Sequence, residues 1–93
     1  MATKTSIIYL PCGMKNEVSP GNGKYFTLKE LQTVVGGYIE CLSLNNDMTM
    51  VVNEEGKLEG LPCNGLATEI ACNSGFFDII VGPALVCPAK FIR

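Results

Sequence analysis

Apolar and polar residues fall into short blocks along the chain, and glycine, proline or asparagine closes each block. Residues 6–10, Ser-Ile-Ile-Tyr-Leu, are β-rich and stop at Pro11 and Gly13, which predicts a first strand. Residues 14–24 hold Pro20, Gly21 and Gly23 among polar neighbours and are expected to form a loop. Thr27 stands three residues before Glu30, the signature of a capping box. Leu28, Leu31 and Val35 then recur at helical spacing up to Gly36, so a helix is predicted over residues 28–35, with Phe26 packing on Leu31 as a staple. Residues 38–44 and 48–53 read as two strands joined by Asn45-Asn46-Asp47, whose side chains tolerate positive φ; they form an antiparallel hairpin. Glu54-Glu55-Gly56-Lys57 is a second turn, with Gly56 where freedom is needed, and residues 58–61 a short extended piece ending at Pro62.

Asn64 is a good N-cap, and Leu66, Ala67, Ile70 and Ala71 follow at helical spacing until Asn73-Ser74-Gly75. Residues 78–82 and 84–87 are two further strands, or one strand bent at Gly82-Pro83, with the bend at an edge or a bulge. The resulting order, β-α-β-β-α-β-(β), predicts an α+β fold. It is a mostly antiparallel sheet of four to five strands with two short helices packed on one face, and residues 1–93 form a single domain.

Composition narrows the function classes. Hydrophobic residues make up 47% of the 93, with 17% charged, so a compact core is expected rather than disorder. The absence of histidine excludes a Ser-His-Asp triad, a Cys-His dyad and a His-ligated metal site. Five cysteines with no CxxC pair match neither a zinc ribbon nor a redox motif, and are expected to be reduced and mostly buried in a cytoplasmic protein. Apolar runs are too short to cross a membrane, and the first ten residues lack a signal-peptide layout. Charge is unevenly spread: residues 40–69 carry six acidic side chains against Lys57 alone, −5 locally, while the net charge is −2. No basic stripe is available for duplex nucleic acid.

Four segments carry a resemblance. They are Gly36-Gly37-Tyr38-Ile39-Glu40, Asn53-Glu54-Glu55-Gly56-Lys57-Leu58, residues 60–68 (Gly-Leu-Pro-Cys-Asn-Gly-Leu-Ala-Thr) and Asp78-Ile79-Ile80-Val81-Gly82. In that order they resemble a domain-of-unknown-function family common in phage, prophage and plasmid proteins. Its pattern is GG-x-IE, then E-x-GKL, LP-x-N-x-x-AT and IVG-x-x-LV, and the likeness spans residues 25–87. The resemblance implies a small accessory protein of a mobile element, acting in the bacterial cytosol. Many proteins of that kind and size counter host defence, some by binding host proteins and others by sequestering nucleotide signals. It transfers no catalytic residue.

The candidate chemistry is that of binding. At Asn64-Gly65 an extended segment turns into a helix, where free amides could hold an anion or a base edge, with Thr68 adding a hydroxyl one turn later. Ordinary capping explains the same residues. Gly37 leaves a gap beside Tyr38, whose ring could stack on a base. Lys15, Lys24 and Tyr25 lie in the polar loop, where lysines would meet phosphate under a flexible lid. Glu40, Glu54, Glu55 and Glu59 form an acidic group that reads as a solvated hairpin end, a cation site, or an interaction face. Cys12 and Cys63 are weak nucleophile candidates without a histidine base.

The leading expectation is a non-enzymatic protein that sequesters a nucleotide-type immune signal through Asn64, Gly65, Thr68, Gly37, Tyr38, Lys15, Lys24 and Tyr25. No cofactor and no metal is expected. A homo-oligomer, with an apolar strand at 84–87 at its contact, would gather several lysines and Arg93 around one site. The alternative is an inhibitor of a host defence protein, acting through the acidic face. A small hydrolase using Glu40 or Glu54 with a metal is a third class.

Overall fold

A computed structural model describes residues 6–92; Arg93, expected at a shared anion site, and the N-terminal stretch 1–5 lie outside the described residues. Five strands form one antiparallel sheet in the order β2-β1-β5-β4-β3. They are β1 (Ser6–Tyr9), β2 (Lys15–Val18), β3 (Ile39–Ser43), β4 (Met48–Asn53) and β5 (Ala84–Pro88). Two helices, α1 (Leu28–Val35) and α2 (Gly65–Asn73), and a 3₁₀ turn (Ala89–Phe91) complete the chain. The α+β class, the five-stranded antiparallel sheet and both helices agree with the expectation.

The capping box forms as expected. The Glu30 N–H donates to Thr27 Oγ1 at 3.2 Å and the Thr27 N–H donates to Glu30 Oε1 at 2.8 Å. Glu30 Oε2 also accepts from the Gly21 N–H at 3.0 Å, which ties the preceding loop to the helix start. These amides hold the Glu30 carboxyl below its ordinary range. Gly36 ends α1 in the left-handed region, φ 81°. Asn46 and Asp47 take positive φ in the β3–β4 turn, as their chemistry allows.

Five expectations about placement are corrected. Lys15–Val18 is a strand and not part of a loop: it pairs with β1 in the register Ser6↔Val18 to Tyr9↔Lys15. A tight turn closes this hairpin, with the Gly13 N–H on Leu10 O and the Leu10 N–H on Met14 O. Lys-Asn-Glu-Val has little strand propensity of its own, but Val18 packs into the core and the turn fixes the pairing. Next, the helices lie on opposite faces of the sheet rather than on one. Along β4 and β5, Met50, Val52, Ala84 and Val86 pack with Ala67 and Ala71 of α2. Their alternate neighbours Val51, Leu85 and Cys87 pack with Leu31 and Val35 of α1. The two central strands are apolar on both sides, so each side demands its own cover.

Third, residues 84–87 are no exposed oligomer edge: β5 is central, flanked by β1 and β4, and buried throughout. Fourth, residues 78–82 make only a single bridge, Cys63↔Val81, instead of a strand. Both sides of β5 are already taken, and this segment spends its polar groups on the approach to α2. The Ile80 N–H donates to Thr68 Oγ1 (2.9 Å), Ile80 O accepts from the Asn64 N–H (2.8 Å), and the Gly82 N–H donates to Pro62 O (2.8 Å). Fifth, residues 58–60 form turns and not part of an extended piece. Gly56 serves by absence of bulk: a Cβ there would come within 2.8 Å of Val81 Cγ2.

The thiols also differ from expectation. Only Cys87 is buried; Cys12, Cys41, Cys63 and Cys72 are exposed, and all five are free. Cys41 sits in an apolar run but on an edge strand, so pairing with β4 covers only one of its flanks. Among the described residues no helix is long and apolar enough to cross a membrane.

Candidate functional site

Asn64 is fully buried, and its amide links three segments. Nδ2 donates to Tyr9 O and to Gly82 O, both at 2.8 Å, while Oδ1 accepts from the Ala67 N–H at 3.1 Å as the N-cap of α2. Thr68 Oγ1 bonds both the N–H and the O of Ile80. The Asn-Gly-x-x-Thr set thus ties the start of α2 to the end of β1 and the 80–82 segment. Within one chain, Gly65 alone of the three is exposed.

The remaining predicted residues are dispersed. Lys15 lies on β2, at one edge of the sheet. Tyr38 directly precedes β3, at the other edge. Four inter-strand steps separate these edges, roughly 19 Å at the usual spacing. Lys24 is exposed on the loop before α1, where the Asn22 side chain receives the Lys24 and Tyr25 amides at 2.8 and 2.9 Å. That Asx turn orders the segment expected to be a lid. Gly37 and Tyr38 line a depression of about 260 Å³ together with Glu55 and Glu59, so the surroundings of the tyrosine are acidic.

A different group does converge, around the turn that follows β4. Asn53 is buried at the end of this strand. Its Nδ2 donates to Val35 O (3.1 Å) and Glu59 Oε1 (3.2 Å), and its Oδ1 accepts from the Glu55 N–H (2.7 Å). Backbone bonds then wind residues 54–61 into a tight block: Gly56 N–H to Asn53 O, Glu59 N–H to Glu55 O, Gly60 N–H to Lys57 O and Leu61 N–H to Gly56 O. The acidic turn is therefore a rigid platform, fastened to α1 and β4. On it Glu54, Glu55, Leu58 and Glu59 face solvent, and Leu58 is 88% exposed.

A groove of about 410 Å³ runs from this platform across the α2 side of β3 to the 76–81 segment. Glu40, Leu42, Glu54, Leu58, Phe76 and Ile79 line it. Lys57 Nζ meets Asp78 Oδ1 at 2.7 Å across its rim, and Asp78 also accepts from the Ile79 N–H. These two donors, with Lys57 first, hold the Asp78 carboxyl below its ordinary value. With Lys57 so engaged, Glu40 and Glu54 have no cationic partner among the described residues. Phe77 beside the groove is 83% exposed and Ile79 53%. Large apolar side chains left in water beside acidic ones, on a fixed scaffold, are equipped to take up apolar and cationic groups.

Sequence reasoning identified the acids here but missed Asn53, Leu58, Phe76 and Ile79. One signal was present: Leu58 is an apolar residue stranded in the turn Glu-Glu-Gly-Lys-Leu-Glu-Gly, where no core is within reach. The Phe-Phe-Asp-Ile-Ile-Val run looks like a strand, which hid its role as the groove wall. Among the described residues, no three Cys, Asp or Glu side chains come together as a metal-binding group.

Residues 12–90 match the profile of the family described as Domain of unknown function (DUF3846), which covers most of the chain. The chain belongs to this family. The DUF3846 match takes in β2, both helices, the acidic turn and the groove, and leaves out β1. No curated protein and no solved structure matches the chain.

Proposed function

We propose that this protein is a non-enzymatic binding module that engages a partner protein through its acidic, apolar-lined groove. The observation that carries this reading is the platform at residues 54–61. Its backbone bonds fix the turn that sets Glu54 and Leu58 in the groove with Ile79, while Glu55 and Glu59 line the adjoining depression beside Tyr38. A preorganised backbone loses little entropy on binding, and a leucine 88% exposed on a tied-down turn adds little to the fold's own core. Acidic residues around apolar ones favour a partner surface that presents lysine or arginine next to apolar side chains.

The resemblance to mobile-element proteins supports a cellular setting for this module. It acts in the bacterial cytosol as an accessory protein of a phage or plasmid, and its partner is a host defence factor that it inhibits. Sequestration of a nucleotide signal is the other reading of the sequence. It would require several copies to build one site, because Lys15 and Tyr38 stand at opposite sheet edges.

The test is affinity capture from host extract followed by quantitative mass spectrometry. The wild-type chain should retain a specific protein. The E54Q/E55Q/E59Q variant should lose it, while K15Q/K24Q keeps it and both variants melt as the wild type does. Equal capture by the acidic-turn variant would refute the reading.

A further inference from the structure

β3 is the sheet edge next to the groove, and among the described residues its outer hydrogen-bonding groups have no partner. Its inner side is fixed by the hairpin. Tyr38 O accepts from the Glu54 N–H at 2.8 Å, and the Leu44 N–H donates to Met48 O at 2.8 Å. In the register Glu40↔Val52 and Leu42↔Met50, residues 38, 40, 42 and 44 are therefore the ones bonded to β4. The N–H and C=O groups of Ile39, Cys41 and Ser43 point away from the sheet, and among the described residues nothing pairs with them.

The two edges are guarded differently. The far edge, β2, exposes Lys15, Asn16 and Glu17, charged and polar side chains of the sort that deter pairing. β3 contains no proline, glycine or lysine, and it pairs with β4 at every position from Ile39 to Ser43 without a bulge. It lacks the usual protections of an edge apart from Glu40.

We infer that β3 receives an extended segment of the partner protein as a sixth strand, by β-strand addition. The inference rests on the protein-binding reading above and gives it a mode and a partner chemistry. Because side chains alternate, residues of the added strand on the α2 side come to lie beside Glu40, Leu42 and the groove. Glu40 and Glu54 call for a lysine or arginine at one of these positions. Leu42 and Ile79 call for an apolar residue two positions away. On the α1 side the neighbours are Ile39, Cys41 and Ser43, which suit small, β-branched or hydroxylated residues. A second copy of β3 is a poor occupant, since it would bring another acidic platform to an acidic groove. The partner segment is thus extended, basic and apolar in alternation on one face, and free of proline at the bonded positions.

The probe is a short capped peptide of threonine alternating with lysine and valine, titrated into the full chain. Three results are expected. The amide protons of Ile39, Cys41 and Ser43 become slower to exchange on binding. N-methylation of the peptide amides that would face β3 weakens binding tenfold or more. Cys41→Pro, which removes an outward N–H and leaves the bonds to β4 in place, weakens it similarly. Should Cys41→Pro fail to fold, the methylated peptide still decides. Binding of the methylated peptide as tight as that of its parent, unchanged exchange at the three amides, or no binding at about millimolar peptide would each overturn strand addition. Those results leave the acidic-face reading standing if E54Q/E55Q/E59Q still loses its captured partner, so the two failures are separable.

Discussion

At the scale of single residues, two side chains show how polarity is spent in this fold. Asn64 has no contact with solvent, and each of its amide groups has a partner on a different segment. Asn64→Ala removes a cap worth about 1 kcal/mol and leaves the Tyr9 and Gly82 carbonyls each short of a donor. It should destabilise the protein by about 2–4 kcal/mol, read as a lower urea midpoint with an unchanged slope. Cys87 illustrates burial acting on an acid: desolvation, with a smaller effect from Cys41, pushes its thiol up to about 12 from an ordinary 9.0. The unfolded chain ionises this thiol first. Its contribution to stability is therefore whole below 9.0 and is lost as pH rises from there toward about 12. At about pH 8, a thiol reagent should modify Cys12, Cys41, Cys63 and Cys72 in the folded protein and reach Cys87 only on unfolding. Within that set Cys41 should lag, since partial burial and the Glu40 charge both raise its thiol.

Elements whose signals are local were legible in the sequence. α1 carries its own start, stripe and stop in Thr27, Leu31, Val35 and Gly36, and it occupies the expected residues 28–35. Thr27→Ala should cost about 1 kcal/mol in a denaturation experiment, with the loss concentrated in α1 by hydrogen exchange. The β3–β4 hairpin was equally plain, because Asn46 and Asp47 supply the positive φ that its turn needs. Elements that depend on distant partners were not legible. β2 has no strand pattern of its own and exists because β1 and the core receive it. Residues 78–82 have a strand's composition, yet the places beside β5 belong to β1 and β4. The side of the sheet taken by each helix was hidden for a related reason. A central strand that is apolar on both sides, such as Met50-Val51-Val52, has no alternation to show which helix lies where.

For the molecule as a whole, the residues expected to bind a ligand do not meet at one place within a single chain. Asn64 and Thr68 stood out as polar groups next to a helix start, but the fold uses them to join three segments. In sequence the acidic stretch reads as a solvated hairpin end, a cation site or an interaction face. The structure makes it a platform braced by Asn53, beside a groove with apolar walls. Leu58 and Ile79 are exposed, so Leu58→Ser with Ile79→Ser should change stability by no more than about 0.5 kcal/mol each. The same pair should abolish partner capture, a separation of binding from folding that a core position would not show. Lys15, Lys24 and Tyr38 do not meet in one chain, which sets the nucleotide reading apart from the protein-binding one by a physical criterion: the first needs shared sites, the second does not.

Native mass spectrometry of the protein purified from bacterial cells that express it separates these accounts most directly. The binding-module account predicts a complex with another protein, dissociated by raised salt and missing from the E54Q/E55Q/E59Q variant. A homo-oligomer carrying a nucleotide-sized adduct, unaffected by that variant, would contradict it.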